Sequence, residues 1–417
     1  MSPLPRMHPS EVRAAAGSPL DPRTLAVAQQ IVDDVATRGV AAVREHAARL
    51  DGLPQNAPLL LPPAVLARAF AGLPTADREL LQRTAARIAV FARAQRASLT
   101  EFDLPVPGGR ACQRLAPLQR AGCYAPGGRA VLPSSLLMTA VTARTAGCAQ
   151  VYAACPRPAA IVLGAAHVAG VDGLLVAGGA QAIAALAFGI DGQPACDIVV
   201  GPGNRFVTAA KQLVQGRVAV DLPAGPSELC VVADGSCDPG DVAADLLAQA
   251  EHDDHARPWL LSEEAAVLDA VDAELRAQLD RLPTRATARI ALRGGGAVLC
   301  RDAQELLAVC DRLAPEHLQL AVRDPAALAH RLGHYGALFF GRAGAEVLGD
   351  YGAGPNHVLP TGGAARFSGG LSVFHFLRVR TWLELGDGAG PLAADAAHLA
   401  ELEGLPGHAA AARRRVR

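Results

Sequence analysis

The spacing of apolar residues along the chain changes character near Ala121. In residues 25–50 and 63–91, apolar side chains recur every three or four positions, which predicts amphipathic helices. From Ala121 onwards, short apolar runs alternate with helical stretches, and Gly or Pro marks each boundary. This alternation is typical of βαβ units built around a buried parallel sheet.

The alternation falls into two successive sets that meet near Pro226. Strands are predicted in the first set at 150–154, 173–177 and 197–200, and in the second at 229–233, 259–262, 297–300, 318–322 and 337–340. We therefore predict an α/β protein with an N-terminal helical segment and two Rossmann-like lobes that enclose a cleft. Beyond Gly369 apolar positions are too sparse for a separate core, which predicts a mostly helical tail that must pack on something else.

Composition favours more than one core and argues against some partners. A chain of 417 residues exceeds the usual size of one domain. The formal net charge of −1 provides no field that would attract nucleic acid or an anionic membrane, so we expect neither as a partner. Lys211 is the only lysine among 39 lysine and arginine residues, a bias that we attribute to the base composition of the gene rather than to chemistry.

The cysteines and the apolar runs indicate a cytoplasmic protein. The nine cysteines are odd in number and show no C-x-x-C spacing, which argues against a disulfide framework and against a cysteine-bound zinc site. Residues 1–17 lack the apolar core of a signal peptide. Charged residues, Gly or Pro interrupt every apolar run before it reaches the length of a membrane span.

Four glycine-rich loops lie in the first α/β set, and loops of this kind bind ligands in open parallel sheets. They contain Tyr124 in CYAPGG, Gln181 in AGGAQ, Asn204 in GPGN and Ser227 in DLPAGPSE. Each loop alone is more often a simple turn than a ligand site. The G-x-G-x-x-G fingerprint is absent, so a dinucleotide would be held here without the usual first turn.

Candidate metal ligands occur in the second α/β set. Gln249 and His252 are three residues apart, so they would share one face of a helix, and imidazole is a good zinc ligand. A glycine-rich loop adds Asp350 and His357. A polar helix end and a surface turn explain these residues equally well when each segment is considered alone.

An acid–base pair is the other chemical signal of this set. Glu316 and His317 stand side by side before a predicted strand, where the pKa values of two titratable groups can be driven apart. The alternative for this pair is two exposed side chains on the surface. The tail adds Glu403 and His408, and a single histidine near a C-terminus usually has no role.

Taken together, nine motifs resemble the histidinol dehydrogenase family over nearly the whole chain. They occur in order and at compatible spacings between about Pro22 and His408, and they read CYAPGG, AGGAQAIAALAFG, GPGN, DLPAGPSE, QAEHD, APEHL, GDYGAGPNHVLPT, ARFSGGLSV and EGLPGH. The combination of QAEH, PEHL and GPNHVLPT in one chain is specific to that family and its close relatives.

The resemblance implies a zinc site that two subunits share. One zinc ion per subunit would be held by Gln249, His252 and Asp350, and by His408 of the other subunit. The resemblance therefore implies an intertwined homodimer in which residues 370–417 form a dimerisation tail that crosses to the partner.

The resemblance also implies catalytic and binding roles. Glu316 and His317 would be the catalytic pair: His317 would accept the hydroxyl proton, and Glu316 would activate the water that hydrates the aldehyde. Substrate contacts would come from Ser227, Gln249, His252, His317, Asp350, Glu403 and His408, with His357 as a further candidate. The cofactor NAD would contact Tyr124, Gln181 and Asn204.

These roles imply a zinc-dependent, four-electron oxidation of L-histidinol to L-histidine through L-histidinal, the last steps of histidine biosynthesis. We expect residues 22–123 and 228–369 to form one α/β domain with the zinc and catalytic residues. Residues 124–227 would form a second, NAD-binding α/β domain, and residues 1–21 an N-terminal arm. His255, beside the ligand helix, leaves a second metal site conceivable.

Three other functions are open at this point. A relative with the same chemistry would oxidise another small alcohol, such as a sulfonated diol. Glu403 and Ser227 favour an ammonium-bearing substrate instead, because a carboxylate repels a sulfonate. A zinc hydrolase with Glu316 as the base would leave the first α/β set without a role. An inactive scaffold would not explain why every inferred ligand residue is present.

Overall fold

The computed structural model describes residues 2–13, 20–127, 131–222 and 225–416. Gly128 of the CYAPGG motif and Pro223 and Ala224 of the DLPAGPSE motif lie outside the described residues. The strands are β1 (Arg6–Met7), β2 (Leu60–Leu61), β3 (Phe102–Val106), β4 (Gly109–Pro117), β5 (Arg120–Tyr124), β6 (Gln150–Ala154), β7 (Gly173–Leu175), β8 (Ile198–Val200), β9 (Ala219–Val220), β10 (Glu228–Ala233), β11 (Arg257–Ser262), β12 (Gly296–Leu299), β13 (His317–Ala321), β14 (Ala337–Phe340) and β15 (Leu377–Leu385).

The helices connect these strands and cover the sheets. They are α1 (Pro22–Arg38), α2 (Val40–His46), α3 (Pro63–Ala71), α4 (Thr75–Ala97), α5 (Pro133–Ala146), α6 (Ala160–Val168), α7 (Gly179–Phe188), α8 (Arg205–Val214), α9 (Pro239–Ala250), α10 (Ala265–Leu279), α11 (Arg285–Leu292), α12 (Ala303–Leu313), α13 (Pro325–Ala329), α14 (Glu346–Asp350), α15 (Gly390–Leu402) and α16 (Pro406–Arg413). Along the described chain, no helix is long and apolar enough to cross a bilayer.

Lobe 1 is built on a six-stranded sheet in the order β2-β7-β6-β5-β8-β9. Its neighbouring strands are parallel except for β2 and β7. Helices α1, α2, α7 and α8 pack on one face, and α3 to α6 pack on the other. Because both faces are covered, the strands are continuous apolar runs, which is why the sequence pattern predicts them well. The chain builds outwards from β5, first through β6 and β7 and then, on the other side, through β8 and β9.

Residues 22–123 belong to lobe 1, so the predicted division of the chain is wrong for this segment. Helices α1 to α4 pack on the two faces of the lobe 1 sheet, and β5, which begins at Arg120, lies inside that sheet. The sequence analysis assigns these residues to the domain that contains Glu316 and His317. A helical period shows that a segment is amphipathic, but it does not show which sheet the apolar face covers.

Lobe 2 is built on a second six-stranded sheet in the order β1-β12-β11-β10-β13-β14, in which all neighbours are parallel. Helices α9, α10 and α11 cover one face, and α12 covers the other. Within the predicted arm, residues 2–13 are part of this lobe rather than a separate arm. Strand β1 pairs with β12, while Leu4 and Val12 are buried in the cores on opposite faces of the sheet.

A third, antiparallel sheet joins the tail to lobe 1, and the prediction of a mostly helical tail misses it. Strand β15 pairs with β4 over its whole length, and β4 pairs with β3. In β15 the residues Leu377 and Val379 alternate with Arg378 and Arg380, a period of two that identifies a strand. The helical part of the prediction is met by α15 and α16.

Candidate active site

The candidate residues of the two lobes lie at opposite ends of their strands. In lobe 1 Tyr124 ends β5, as expected for ligand sites in open parallel sheets. In lobe 2 Glu228 begins β10 and His317 begins the neighbouring strand β13, so this part of the site lies at the amino ends. Asp221 directly follows β9, and only residues 222–227 separate it from β10. The carboxyl edge of lobe 1 and the amino edge of lobe 2 are thus joined by a short connection.

Glu316 and His317 are buried at the junction between α12 and β13. Their exposed fractions are 6% and 3%, which excludes the surface-pair alternative. Helix α12 ends at Leu313 and is capped by Ala314, a non-glycine residue in the left-handed region with φ of 44°. Strain of this kind is common where surrounding structure fixes a functional segment. Here it turns the chain sharply between the end of α12 and Glu316.

Backbone groups of Glu228 hold both members of this pair. Glu316 Oε2 accepts a hydrogen bond from the Glu228 N–H at 2.9 Å. His317 Nδ1 lies 3.0 Å from the Glu228 carbonyl oxygen, so Nδ1 carries the proton and donates it. The other ring nitrogen, Nε2, is buried and has no hydrogen-bond partner in the described chain. His317 therefore presents a free acceptor nitrogen to the cleft.

Two carboxylates of α14 face that nitrogen. His317 Nε2 lies 3.5 Å from Asp350 Oδ1 and 4.0 Å from Glu346 Oε1. One ligand atom from each of these three residues lies within 4.8 Å of the other two. The sequence analysis singles out Asp350 but misses Glu346. Its signal is the spacing of four residues, which places both carboxylates on one face of a helix.

The charges in this cluster shift one another's pKa values. Burial raises the pKa of Glu316 to about 8, although the neighbouring imidazole opposes the shift. Burial alone would lower the pKa of His317, but the carboxylates of Glu316, Asp350 and Glu346 outweigh it and raise that pKa to about 10. Burial raises the pKa of Glu346. Burial opposes the charge on Asp350 as well, but the close approach of the His317 imidazole lowers its pKa.

Gln249 and His252 lie at the end of α9 beside this cluster. Gln249 is fully buried, and neither polar atom of its side-chain amide has a hydrogen-bond partner among the described residues. His252 lies in the exposed turn after α9, close enough for its charge to lower the pKa of Asp350. His357 is half-buried, and its Nδ1 donates to the Asp350 carbonyl oxygen at 2.9 Å. The structure therefore brings Gln249, His252, Asp350 and His357 to one region.

Four further predicted residues are not brought into this cluster in the single chain. Ser227 is half-buried directly before β10, where its carbonyl oxygen accepts from Arg257 N at 2.9 Å. Glu403 and His408 are exposed, at the end of α15 and on α16. His255 is exposed in the loop after α9, and the group of close ligand atoms found in the described residues does not include it.

The three predicted cofactor contacts lie at the carboxyl edge of lobe 1. The Tyr124 hydroxyl accepts from Gly179 N at 3.2 Å, and Gln181 Nε2 donates to Asp51 Oδ2 at 3.0 Å. Asn204 is exposed and caps α8 by accepting from the first backbone N–H groups of that helix. Tyr124 and Gln181 are buried, so both also have a structural role. The sequence analysis misses Asp51, which comes from the predicted helical segment 25–50 and its flank.

These features define a class of protein before any comparison: a two-lobed α/β enzyme with a buried acid–base pair at the lobe junction. Loop 350–357 of lobe 2 packs on lobe 1, since Asn356 Nδ2 donates to Met138 O at 2.8 Å and Arg87 Nε donates to Gly352 O at 2.6 Å. The N and O donors beside the pair suit a cation such as zinc. A base and a cation site in one cleft can support oxidation or hydrolysis.

Comparison with known proteins narrows this class to one family. The family model for histidinol dehydrogenase matches residues 20–416. The chain is 45% identical over 406 residues to the histidinol dehydrogenase of Thermus thermophilus, which covers 96% of this chain and 97% of the relative. It is 42% identical over 404 residues to that of Ralstonia nicotianae, covering 93% and 90%.

A solved structure gives the same result. The crystal structure of histidinol dehydrogenase from Elizabethkingia anophelis superposes with a TM-score of 0.93 at 28% identity, covering 100% of this chain and 98% of the other. The chain belongs to the histidinol dehydrogenase family and is an oxidoreductase. The resemblance found in the motifs and the predicted α/β class are both confirmed.

Proposed function

We propose that this chain oxidises L-histidinol to L-histidine through L-histidinal, with zinc bound and two NAD⁺ reduced per turnover, as the last steps of histidine biosynthesis. The observation that carries the proposal is the buried Glu316–His317 pair, whose free Nε2 faces the carboxylates of α14. The pair supplies one base for a hydroxyl proton and a second base for a water molecule, as two successive oxidations require.

The residues beside this pair fit a zinc ion. A buried amide without hydrogen bonds costs about 1–3 kcal/mol, and a ligand at Gln249 would remove that cost. Asp350, His252 and Gln249 offer oxygen and nitrogen donors, which zinc accepts. We assign these three residues as zinc ligands, with His408 of a second subunit as the fourth. Bound zinc would orient the amine and imidazole nitrogens of the substrate.

In the first oxidation His317 takes the hydroxyl proton. Its Nδ1 donates to Glu228 O, so the lone pair of Nε2 faces the cleft and can accept. The alcohol loses this proton and a hydride, and NAD⁺ becomes NADH: RCH₂OH + NAD⁺ gives RCHO + NADH + H⁺. The base must be neutral, and the carboxylates near it favour its charged form. Asp350, which would hold a cation, contributes part of this negative charge, and a bound cation would offset it and favour the neutral form of His317.

In the second oxidation Glu316 supplies the base for water. The aldehyde adds water to form a hydrate, which loses a hydride to a second NAD⁺: RCHO + H₂O + NAD⁺ gives RCOOH + NADH + H⁺. Glu316 shares its backbone partner, Glu228, with His317, so the two bases act on the same part of the cleft. No cysteine is needed for this route, and Cys230, on the neighbouring strand β10, is buried in the core behind the sheet.

NAD⁺ would bind at the carboxyl edge of lobe 1, between β5 and β8. This is where the strand order reverses, and open α/β sheets bind ligands in the crevice at such a point. Of the predicted contacts, Tyr124 ends β5, while Gln181 and Asn204 follow β7 and β8. Residues 221–227 connect this edge directly to the amino edge of lobe 2, where Glu316 and His317 lie.

The exposed apolar residues of the tail support a homodimer with shared active sites. Val379, Trp382 and Leu383 of β15 are more than half exposed in the single chain, as are Leu399 and Leu402 of α15. A patch of this kind marks a protein interface. A second subunit packed on it would account for Glu403 and His408 lying away from the cleft of their own chain. Glu403 and Ser227 would then bind the substrate ammonium.

The test is an NADH-absorbance assay of the purified protein with L-histidinol, with and without a zinc chelator, joined to product analysis. We expect two NADH and one L-histidine per L-histidinol, and loss of activity when zinc is removed. One NADH per alcohol with accumulated aldehyde would overturn the four-electron reaction. Faster turnover of a sulfonated diol than of L-histidinol would overturn the substrate.

A further inference from the structure

Lys211 and Asp221 form a buried ion pair beneath the crevice of lobe 1. Lys211 lies on α8 and Asp221 directly follows β9, and their side chains are 4% and 0% exposed. The Lys211 Nζ atom contacts Asp221 Oδ1. The reaction proposed above uses neither residue.

This pair holds both backbone polar groups of Gly201. Lys211 Nζ donates to the Gly201 carbonyl oxygen at 3.0 Å, and Gly201 N donates to Asp221 Oδ2 at 2.7 Å. Gly201 has a φ of 120°, and a Cβ atom at this position would lie 2.1 Å from the Tyr124 carbonyl oxygen. The ion pair therefore holds the Gly201 backbone directly against the end of β5.

The position of this contact links the pair to the crevice. Gly201 is the first residue of the GPGN motif, whose last residue, Asn204, caps α8. The strands β5, β8 and β9 are neighbours, and the ion pair joins their carboxyl ends. A shift of Gly201 would displace Asn204 and Tyr124 relative to each other. Both residues are proposed NAD contacts, and the pair itself lies behind them.

The composition of the chain indicates a chemical reason for a lysine, rather than an arginine, at position 211. Of 39 lysine and arginine residues only Lys211 is lysine, which leaves 38 arginines. The buried position offers two acceptor groups, Asp221 Oδ1 and Gly201 O. An arginine would bring five N–H donors and a wider, planar head group, and several donors would stay unpaired. Base composition of the gene explains the arginines, but it does not explain the one lysine.

We propose that Lys211 and Asp221 are a positioning pair for the dinucleotide. The pair sets the Gly201 turn, and through it the affinity for NAD⁺, without touching the substrate or the zinc ligands. The proposal rests on the proposed function, because it takes the crevice between β5 and β8 as the NAD⁺ site.

The first test is steady-state kinetics of K211M, K211R and D221N. We expect the KM for NAD⁺ to rise about 10–100-fold, the scale of a displacement near 1 Å in a binding group. The KM for L-histidinol and the zinc content should stay at the wild-type values. Equal losses in both KM values and in zinc content would identify a merely structural pair. A wild-type KM for NAD⁺ in K211R would overturn the need for lysine.

The ion pair Arg144–Asp172 offers a matched control in the same lobe. Arg144 Nη2 contacts Asp172 Oδ2 at 2.5 Å, and Asp172 directly precedes β7, at the amino edge away from the crevice. R144M and D172N should lower thermal stability and leave the KM for NAD⁺ unchanged. A similar rise of that KM in the control variants would show that any lost ion pair in lobe 1 has the effect.

A second test uses the single lysine as a spectroscopic probe in the wild-type enzyme. Protein labelled with [¹⁵N]lysine carries one labelled backbone amide, so one NMR signal reports on α8. NAD⁺ should shift this signal and L-histidinol alone should not. If the enzyme reduces NAD⁺ but the signal does not shift, the cofactor binds elsewhere and the proposed NAD⁺ site is wrong. If NAD⁺ shifts the signal but K211M has a wild-type KM for NAD⁺, the proposed NAD⁺ site is supported and the positioning role of Lys211 is overturned.

Discussion

Replacing Glu316 by Gln should separate the two oxidations. The Glu316 carboxylate accepts a hydrogen bond from Glu228 N at 2.9 Å, and an amide oxygen can accept the same bond, so the variant should fold normally. An amide cannot take a proton from water. Oxidation of L-histidinol to the aldehyde depends on His317 and should continue, whereas oxidation of the aldehyde should fail.

The expected loss in the aldehyde step is about 10²–10⁴-fold, which is the usual contribution of a general base. That range corresponds to about 2.7–5.5 kcal/mol of activation free energy. The pH dependence gives a second signature. Burial raises the pKa of Glu316 to about 8, so its carboxyl is protonated below that pH and cannot act as a base. Aldehyde oxidation by the wild-type enzyme should therefore rise with pH, reach half its maximum near pH 8 and level off above it, and E316Q should lack this rise.

The assay is a single-turnover measurement of NADH with either L-histidinol or supplied L-histidinal. E264Q is the matched control, because Glu264 Oε1 also accepts a backbone N–H, from Gly235 at 2.9 Å, but on the surface. H317N should give the reciprocal result and impair the alcohol step. If E316Q oxidises L-histidinal at the wild-type rate, or slows both steps equally, the role of Glu316 as the water-activating base is refuted.

Three further predictions follow from the same geometry. A314G should raise the free energy of unfolding by about 1 kcal/mol, measured by urea titration, because glycine adopts the left-handed conformation at the end of α12 without strain; a less stable variant would contradict this. Q249L should abolish zinc binding, measured by metal analysis, yet leave the metal-free protein at least as stable, since the unpaired buried amide is gone. H408N should lower zinc content and activity, and mixing it with H252N should restore activity through one intact shared site; heterodimers without activity would exclude sharing.

The strands of both lobes could be predicted because the apolar pattern that identifies each strand lies within a few consecutive residues. Runs such as Gln150–Ala154 and Ala337–Phe340 are short, apolar and bounded by turn residues, and the structure has strands at those positions. Strands β3 and β4 carry Arg, Asp and Gln, and because β3 is largely exposed and β4 mostly half-buried, they lack the apolar signal of a buried strand. Which sheet the N-terminal helices cover depends on contacts distant in sequence, and no local pattern contains that information.

The candidate site likewise contains residues that the sequence predicts and residues that it does not. Glu316, His317 and Asp350 stand in motifs whose residue types suggest chemistry, and the structure brings them together. Glu346 was missed because it belongs to no such motif, although its spacing from Asp350 was available. Asp51 and Asp221 were missed because their partners, Gly178 and Gly201, are backbone groups far along the chain. A sequence pattern shows which side chains are reactive, but it does not show which backbone groups they hold.

The opposite placement of the two half-sites follows from the short connection between the lobes. Seven residues, 221–227, lie between the end of β9 and the start of β10, and seven extended residues span at most about 25 Å. The carboxyl edge of lobe 1 must therefore lie near the amino edge of lobe 2. If NAD⁺ binds at the carboxyl edge of lobe 1, as we propose, its acid–base partners must come from the amino ends of the second sheet. Glu316 directly precedes β13 and His317 begins it, and Glu228, whose backbone binds both side chains, begins β10 at the far end of this connection. The direction in which the second sheet starts thus brings Glu316 and His317 towards the carboxyl edge of lobe 1, where we propose that NAD⁺ binds.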